Sequence, residues 1–368
     1  IKFLLLLVFL SHAFELIDTL WTKSYGGKKN DYLFGLKELP KKGFVAIGEA
    51  RSWGQGDADV WFLKLDTSGE VLLSKTFGTT GFDGGRDIVP TNDGGYLLLG
   101  STPGKTNTRS DIWLVKIDSL GNKIWEKTYG DTAEETAFTL ISLSNNELTI
   151  CARYAETGVI TSNGSNYGTL LINIDSVGNI KWSKKYVGIT SYAVGAKPVV
   201  GEGFVFVGDK GSMNNAYCLR INSAGDTLWS NGSVGPSYAI SPTSDKGFVI
   251  TGYVSGYNST INRYYRDVRL LKMDSTGKTI FSTSFGGTEA YYTAEGYGVV
   301  QLSDGGYLVC GYIESPIGDT WLLRMNQDGD TVWTKRTLSM MALPIKFIPI
   351  SSGGFAMLGR TTIRGQDS

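Results

Sequence analysis

The chain has 368 residues, 48 of them glycine, with Trp, Tyr and Phe at 12%, charged residues at 19% and no net charge. Glycine near 13% is about twice the usual share, which suits short strands and tight turns better than helices. An apolar content of 41% excludes disorder, and 35 cations against 35 anions exclude a basic nucleic-acid binder.

The first element in chain order is apolar. Lys2 precedes eight apolar residues, Phe3 to Leu10, and Ser11, His12 and Ala13 follow. A charged start, a short apolar run and a small-x-small ending read as a secretory signal peptide over residues 1–13. The run is too short for a membrane helix, which needs about 20 residues. The competing reading is a buried N-terminal strand. Ile1 rather than Met stands first, so the expectation is that the start lies upstream. Cleavage after Ala13 removes the only histidine, which excludes a Ser-His-Asp triad, a Cys-His pair and an imidazole metal site.

The rest is one repeat. Trp21, Leu73, Trp125, Trp182, Trp229, Phe281 and Trp333 recur every 47–57 residues, mostly every 52. Phe44, Tyr96, Leu148, Phe204, Phe248, Tyr307 and Phe355 keep the same register, each followed four residues later by Gly or Ala. Asp66, Asp118, Asp175, Asn222, Asp274 and Asn326 are each followed three residues later by Gly. Three markers in register define a repeat architecture.

Each unit reads as four strands, A to D. In the second unit, strand A lies near Arg86–Pro90, B at Tyr96–Gly100, C at Ile112–Ile117 and D at Ile124–Tyr129. Asp93-Gly94-Gly95 and Asp118 to Asn122 form the turns: glycine reaches positive φ, and Asp bonds its own backbone. Strands B and C are continuous apolar runs, as in Phe204 to Val207 and Tyr307 to Cys310, which suits strands buried on both faces. Such sheets must stack on copies of themselves, and closing the stack makes a β-propeller. A linear solenoid would need polar caps, and none is apparent.

The expected fold is all-β: a seven-bladed β-propeller of four-stranded antiparallel blades, a single domain over 14–368. The blades fall at about 31–78, 79–130, 131–188, 189–235, 236–287, 288–336 and 337–368. The last blade takes its strand D from residues 20–26 (Trp21 to Gly26) and is truncated at the C-terminus. Its strand A is Ile345–Ile350 and its strand B Phe355–Gly359; strand C is expected beyond Ser368.

The pattern aromatic-x-Lys-x-Tyr-Gly, Asp-Gly-Gly-Tyr-x-x-x-Gly and Asp-x-Trp-Leu-x-Lys-x-Asp-x-x-Gly-x-x-x-Trp resembles the repeats of secreted, largely uncharacterised β-propeller proteins of Bacteroidetes-type bacteria. The resemblance covers about residues 20–368 and implies an exported protein. Those proteins often carry a C-terminal sorting domain, which is expected to lie beyond Ser368 if present. The Asp118, Gly121, Trp125 segment also looks like the tryptophan-docking repeat of quinoprotein propellers, though one residue shorter; the likeness is architectural. No Trp-Asp dipeptide closes a blade, so WD40 identity fits poorly.

Length variation falls on the B–C and D–A loops: Tyr154 to Tyr167, Tyr253 to Asp267, and the blade-six D–A loop with Glu289, Tyr291, Tyr292, Glu295 and Tyr297. Insertions on one face mark a binding face, against the plain alternative of tolerated surface loops. Tyr257, Arg263, Tyr264, Tyr265 and Arg266 form the densest aromatic and basic cluster outside the apolar runs, and such residues suit recognition. These five, with Glu289, Tyr291, Tyr292 and Glu295, are the candidate ligand-binding residues. The alternative is that some tyrosines cover blade edges. The repeated Trp residues at strict spacing are read as inter-blade packing.

Asp31, Asp83, Asp87, Glu134, Glu135, Glu289 and Glu295 lie near D–A loops and are the only acid–base candidates. A carboxylate pair could hydrolyse glycosides, against the plain reading of solvated loop acids. No residue is assigned a catalytic role. No complete calcium loop appears, and no metal or cofactor is expected. Cys151, Cys218 and Cys310 each sit in an apolar run and read as small buried hydrophobes. Asn163-Gly164-Ser165 and Asn258-Ser259-Thr260 are sequons, relevant to a eukaryotic source.

The reading is a monomeric binding or scaffold module, more a non-enzyme than an enzyme. It is secreted, at the cell surface or in the periplasm, and contacts a protein or glycan through its variable loops. It binds no nucleic acid and has no membrane span. The first alternative is a carbohydrate-active hydrolase with paired carboxylates near the central channel. A quinoprotein-type oxidoreductase ranks last, because no Cys-Cys pair exists to clamp the cofactor.

Overall fold

The structure, a computed structural model, describes residues 2–10, 17–104, 109–131, 133–142, 147–155, 167–187, 190–199, 203–209, 216–232, 234–259, 262–286, 293–314, 319–337 and 342–361. They form 28 strands in seven four-stranded antiparallel sheets, the seven-bladed propeller expected. Two strands precede the first complete blade, β1 (Lys2–Leu10) and β2 (Ile17–Tyr25). Blade one is β3 (Tyr32–Leu39), β4 (Gly43–Ala50), β5 (Asp59–Leu65) and β6 (Val71–Phe77). Blade two is β7 (Gly84–Pro90), β8 (Tyr96–Pro103), β9 (Ser110–Ile117) and β10 (Lys123–Tyr129). Blade three is β11 (Glu134–Ser142), β12 (Leu148–Ala155), β13 (Tyr167–Ile174) and β14 (Ile180–Val187). Blade four is β15 (Thr190–Val199), β16 (Gly203–Asp209), β17 (Ala216–Ile221) and β18 (Thr227–Asn231). Blade five is β19 (Ser237–Pro242), β20 (Phe248–Asn258), β21 (Arg263–Met273) and β22 (Thr279–Phe285). Blade six is β23 (Ala294–Gln301), β24 (Tyr307–Ile313), β25 (Asp319–Met325) and β26 (Thr331–Thr337). The last sheet runs β2-β1-β28-β27, with β27 at Ala342–Pro349 and β28 at Phe355–Thr361.

The N-terminal strand β2 closes that last sheet, as its Trp21-x-Lys-x-Tyr25 signature requires. In place of the strand C expected beyond Ser368, the apolar run Lys2–Leu10 holds that position, pairing with β28 on one side and β2 on the other, so the last sheet has four strands.

The chain clusters into two compact units, 1–187 with 348–368, and 188–347. In the first, Val45, Ile47 and Phe62 of blade one pack on Tyr96, Leu98 and Trp113 of blade two. Leu97, Leu99 and Leu114 of blade two in turn pack on Leu140, Ile150 and Ile172 of blade three. In the second unit, Val205, Val207 and Cys218 meet Ile250, Leu271 and Met273. There Val249, Val268 and Leu270 also meet Val299, Val309 and Leu323. Strands B and C therefore carry apolar side chains to both faces: every residue of β4 and β25 is buried. The D strands alternate between exposed and half-buried positions, as an outer edge does.

The repeated Trp and Gly form one device. Asp118 accepts the N–H groups of Leu120 and Asn122, and Gly121 closes the C–D turn at φ 77°. The strand-D aromatic of one blade covers the turn glycine of the next. A methyl group on Gly69 would lie 2.6 Å from Trp21, and one on Gly277 2.6 Å from Trp229. The indoles of Trp21 and Trp229 donate to Thr67 O and Ser275 O at 2.9 Å. These tryptophans are packing groups, as their spacing indicates. Cys151, Cys218 and Cys310 are buried, and burial pushes the thiols of Cys218 and Cys310 up.

The A strands share a feature absent from the sequence reading. Each of β3, β7, β11, β19 and β23 shifts register by one residue against strand B. The extra residues are Phe34, Arg86, Phe138, Tyr238 and Tyr297, all half-buried. A bulge turns its unpaired residue out of the ladder, and bulges often lie beside functional sites.

Candidate functional site

Blade five supplies the most exposed aromatic structure among the described residues. The segment Tyr253 to Asp267 is mostly strand rather than the loop expected. Strands β20 and β21 stay paired to Asn258 and Arg263, well beyond Ser237↔Gly252 and Val268↔Phe285, where β19 and β22 leave them. The projection is a two-stranded ribbon with a short connection.

Directly opposed residues share a face. Tyr257 faces Tyr264, Ser255 faces Arg266 and Tyr253 faces Val268. The Tyr257 and Tyr264 rings lie 5.1 Å apart, with 50% and 81% of their surfaces exposed. The Tyr257 hydroxyl also bonds the Asn262 side chain. Further down the same face, the Arg266 guanidinium sits 4.5 Å above the ring of buried Tyr253. Arg266 also pairs with buried Glu295 of blade six. Tyr253 lies 5.8 Å from the bulge residue Tyr238, which stacks on the bulge residue Tyr297 at 4.9 Å. The Tyr297 hydroxyl donates to Glu295 at 2.7 Å. A continuous track thus runs from the ribbon tip through Arg266 to the paired bulges of β19 and β23.

The charges fit that order. Burial pushes the Tyr297 and Tyr238 phenols up, and the Glu295 carboxylate pushes them further. Both stay protonated at neutral pH and serve as donors. The hydrogen bond to Glu295 raises the Arg266 guanidinium still further, so this cation is permanent.

Of the residues selected from sequence, Tyr257, Tyr264, Arg266 and Glu295 come together. Tyr265 is on the opposite face, its ring across Gly256, where a methyl group would meet the hydroxyl oxygen at 2.4 Å. Arg263 opens β21 opposite Asn258. Glu289, Tyr291 and Tyr292 lie outside the described residues, as does most of the blade-three loop. Sequence reading did not select Tyr238 and Tyr253. The available signal was small neighbours around one large residue, as in Ser237-Tyr238-Ala239 and Gly296-Tyr297-Gly298.

The first unit has a related arrangement. Arg86 stacks 4.4 Å over Phe34 and pairs with buried Glu49 at 2.5 Å.

Five of the seven D–A acids are buried rather than solvated, which corrects that expectation for them. Asp31, Asp83, Asp87, Glu135 and Glu295 are buried; Glu134 is exposed. Asp31 accepts the N–H groups of Gly27, Arg51 and Ser52 at 2.6–2.8 Å, and Asp83 that of Thr79 at 2.6 Å. Asp87 accepts the Thr139 hydroxyl and the Leu140 N–H. They hold their loops because a buried carboxylate needs donors.

Two acidic groups converge on the glycines that follow strand D. A methyl group on Gly78 would lie 1.9 Å from Asp59 and 3.0 Å from Asp83. One on Gly130 would lie 2.6 Å from Asp111 and 3.0 Å from Glu135. Burial pushes the Glu135 carboxyl up to about 7, with Asp131 and Asp111 adding repulsion. Burial likewise raises Asp59. Among the described residues no group of three or more His, Cys, Asp or Glu is placed to hold a metal.

On the turn side, a cleft of about 290 Å³ is lined by Val89, Thr91, Asp93, Lys116 and Leu148. Lys116 is already bonded to Thr91 and Asp93, and Lys272 meets Asp245 in the same way, so this is blade framework.

No family model matches the chain, and no curated protein matches it. Solved structures do. YCF48 bound to D1 peptide superimposes with TM-score 0.53 at 9% identity, over 90% of this chain and 89% of that one. A streptogramin B lyase gives 0.50 at 12% identity, over 90% and 98%. A protein of unknown function from Bacteroides caccae gives 0.45 at 12%, over 80% and 93%. At these identities the likeness is one of β-propeller fold.

Proposed function

We propose that the protein is an exported, non-enzymatic binding module that contacts a protein or glycan through the Tyr–Arg track of blades five and six. The observation that carries this reading is the ribbon. Two rings as exposed as Tyr257 and Tyr264 lie in line with the stack formed by Arg266, Tyr253, Tyr238 and Tyr297. Tyr and Arg concentrate binding energy because they offer wide contact area together with hydrogen bonds. The base of the track is anchored by Glu295, so little order remains to be imposed on binding. YCF48, a propeller of similar fold, is seen with a peptide bound, which makes a polypeptide partner reasonable for this fold.

The hydrolase alternative is weaker on one physical ground. A glycosidase carboxyl must touch the scissile bond. Asp59, Asp83 and Glu135 are at most 2% exposed and are enclosed by their own loops. Export rests on the Lys2 to Ala13 pattern, and no helix among the described residues is long and apolar enough to cross a membrane.

The test is an array of glycans and synthetic peptides probed with the intact protein. Binding without turnover, lost in the Tyr257→Ala/Tyr264→Ala double variant, is expected. Release of reducing sugar that a single Asp or Glu substitution abolishes would overturn the reading.

A further inference from the structure

We propose that the ribbon of blade five binds an extended peptide by strand addition along the free edge of β20 on the β19 side, at Ser255 and Tyr257. This rests on the reading that the blade five–six face meets a partner, and it assigns that partner's chemistry.

The backbone of an antiparallel strand points its N–H and C=O groups alternately to its two sides. The Tyr253 N–H donates outward to Pro236 O at 3.1 Å. By the two-residue period, Ser255 and Tyr257 point the same way, while Val254 and Gly256 point into the β20–β21 ladder. Strand β19 ends its pairing at Gly252, and among the described residues no strand takes its place beyond Tyr253. Ser255 and Tyr257 are both exposed. The edge therefore presents two outward residues at strand spacing to solvent. Unpaired edge groups of this kind are a template for another strand.

The second edge is different. Strand β21 is bridged to blade six in parallel sense at Arg266↔Thr293. Strand addition is thus directed to β20. Side chains of the incoming strand alternate, and every second one falls beside Tyr257 on the tyrosine face. That position suits an apolar or aromatic residue. The ribbon carries Arg263, Arg266 and Asp267, and Arg266 is already paired with Glu295, so the backbone edge rather than charge selects the partner. The occupant assigned is an extended peptide segment with alternating apolar residues.

Proline at position 255 gives a sharp test. It deletes an N–H that the hairpin does not use and places a ring at the edge, where proline is tolerated. The probe is an array of synthetic twelve-residue peptides and a glycan array, followed by titration of the best binder. Ser255→Pro is expected to weaken peptide binding at least about tenfold, as for loss of one or more main-chain hydrogen bonds. N-methylation of the peptide at alternate residues should abolish binding in one phase and spare it in the other, using wild-type protein. That second experiment holds even if Ser255→Pro folds poorly. Peptide binding unchanged by Ser255→Pro and by N-methylation in either phase overturns strand addition. In that case a loss with Tyr257→Ala/Tyr264→Ala leaves the binding face standing. Glycan binding lost in the same double variant assigns the face to sugar and overturns the peptide. Absence of both kinds of binding overturns both readings.

Discussion

Tyr238 and Tyr297 stack with ring centroids 4.9 Å apart and planes within 1° of parallel, each the extra residue of a β-bulge in its own blade. Two bulges meet because neighbouring A strands lie side by side and break register at equivalent points. The contact joins blades five and six at the base of the aromatic track, through Glu295 and Arg266.

Replacing Tyr297 with Phe keeps the stack and removes the donor to Glu295. The expected cost is about 1 kcal/mol, since a buried carboxylate loses one partner. Arg266→Ala should cost more, roughly 2 kcal/mol, because Glu295 then stays buried without its cation. Urea unfolding of the three proteins checks the order.

Gly277 and Gly94 separate backbone strain from packing. Both have positive φ, 84° and 80°, but a methyl group at 277 would meet the Trp229 ring while one at 94 would meet open space. Gly94→Ala should cost about 1–2 kcal/mol in strain alone. Gly277→Ala should cost clearly more, with Trp229 fluorescence altered. Equal losses would contradict the docking role of Trp229.

Glu135 makes stability depend on pH. Its folded value of about 7 lies above the ordinary 4.5. The folded protein thus binds the proton more tightly than the unfolded chain does. The contribution is fully present below pH 4.5 and is lost as pH rises through 7, at most roughly 3 kcal/mol. Glu135→Gln should flatten this dependence between pH 5 and 7. Thermal melts of both proteins across that range read it directly.

Lys2–Leu10 cannot be both a removed leader and the strand β1. The proposed export expects Phe14 as the first residue of the mature protein. N-terminal sequencing of the exported chain checks this, and a chain retaining Lys2–Leu10 would assign the segment to the last blade instead.

The blades were legible because their cause is local and repeated. Turn glycines, apolar B and C strands and strand-D aromatics each recur in register, and each has one structural solution. The site was legible only in part. Tyr257, Tyr264 and Arg266 stood out as an aromatic and basic cluster. Tyr238 did not, because a bulge leaves no mark on periodicity and its partner Tyr297 lies in the next blade. The acids of the D–A loops misled for the opposite reason. Their composition suggested solvent, whereas backbone N–H groups such as those of Gly27 and Arg51 draw Asp31 inside. The ribbon was read as a loop because the residues Tyr253 to Asp267 mix glycine, serine and asparagine with tyrosine, hiding the strand pairing.

The most direct measurement is the affinity of wild-type protein and of Tyr257→Ala/Tyr264→Ala for the tightest array ligand, with melting temperature as a control. Loss of at least about thirtyfold, from two anchor residues at roughly 1–2 kcal/mol each, with unchanged melting, is the predicted result. Equal affinity of the two proteins would contradict the assignment of the ribbon as the contact surface.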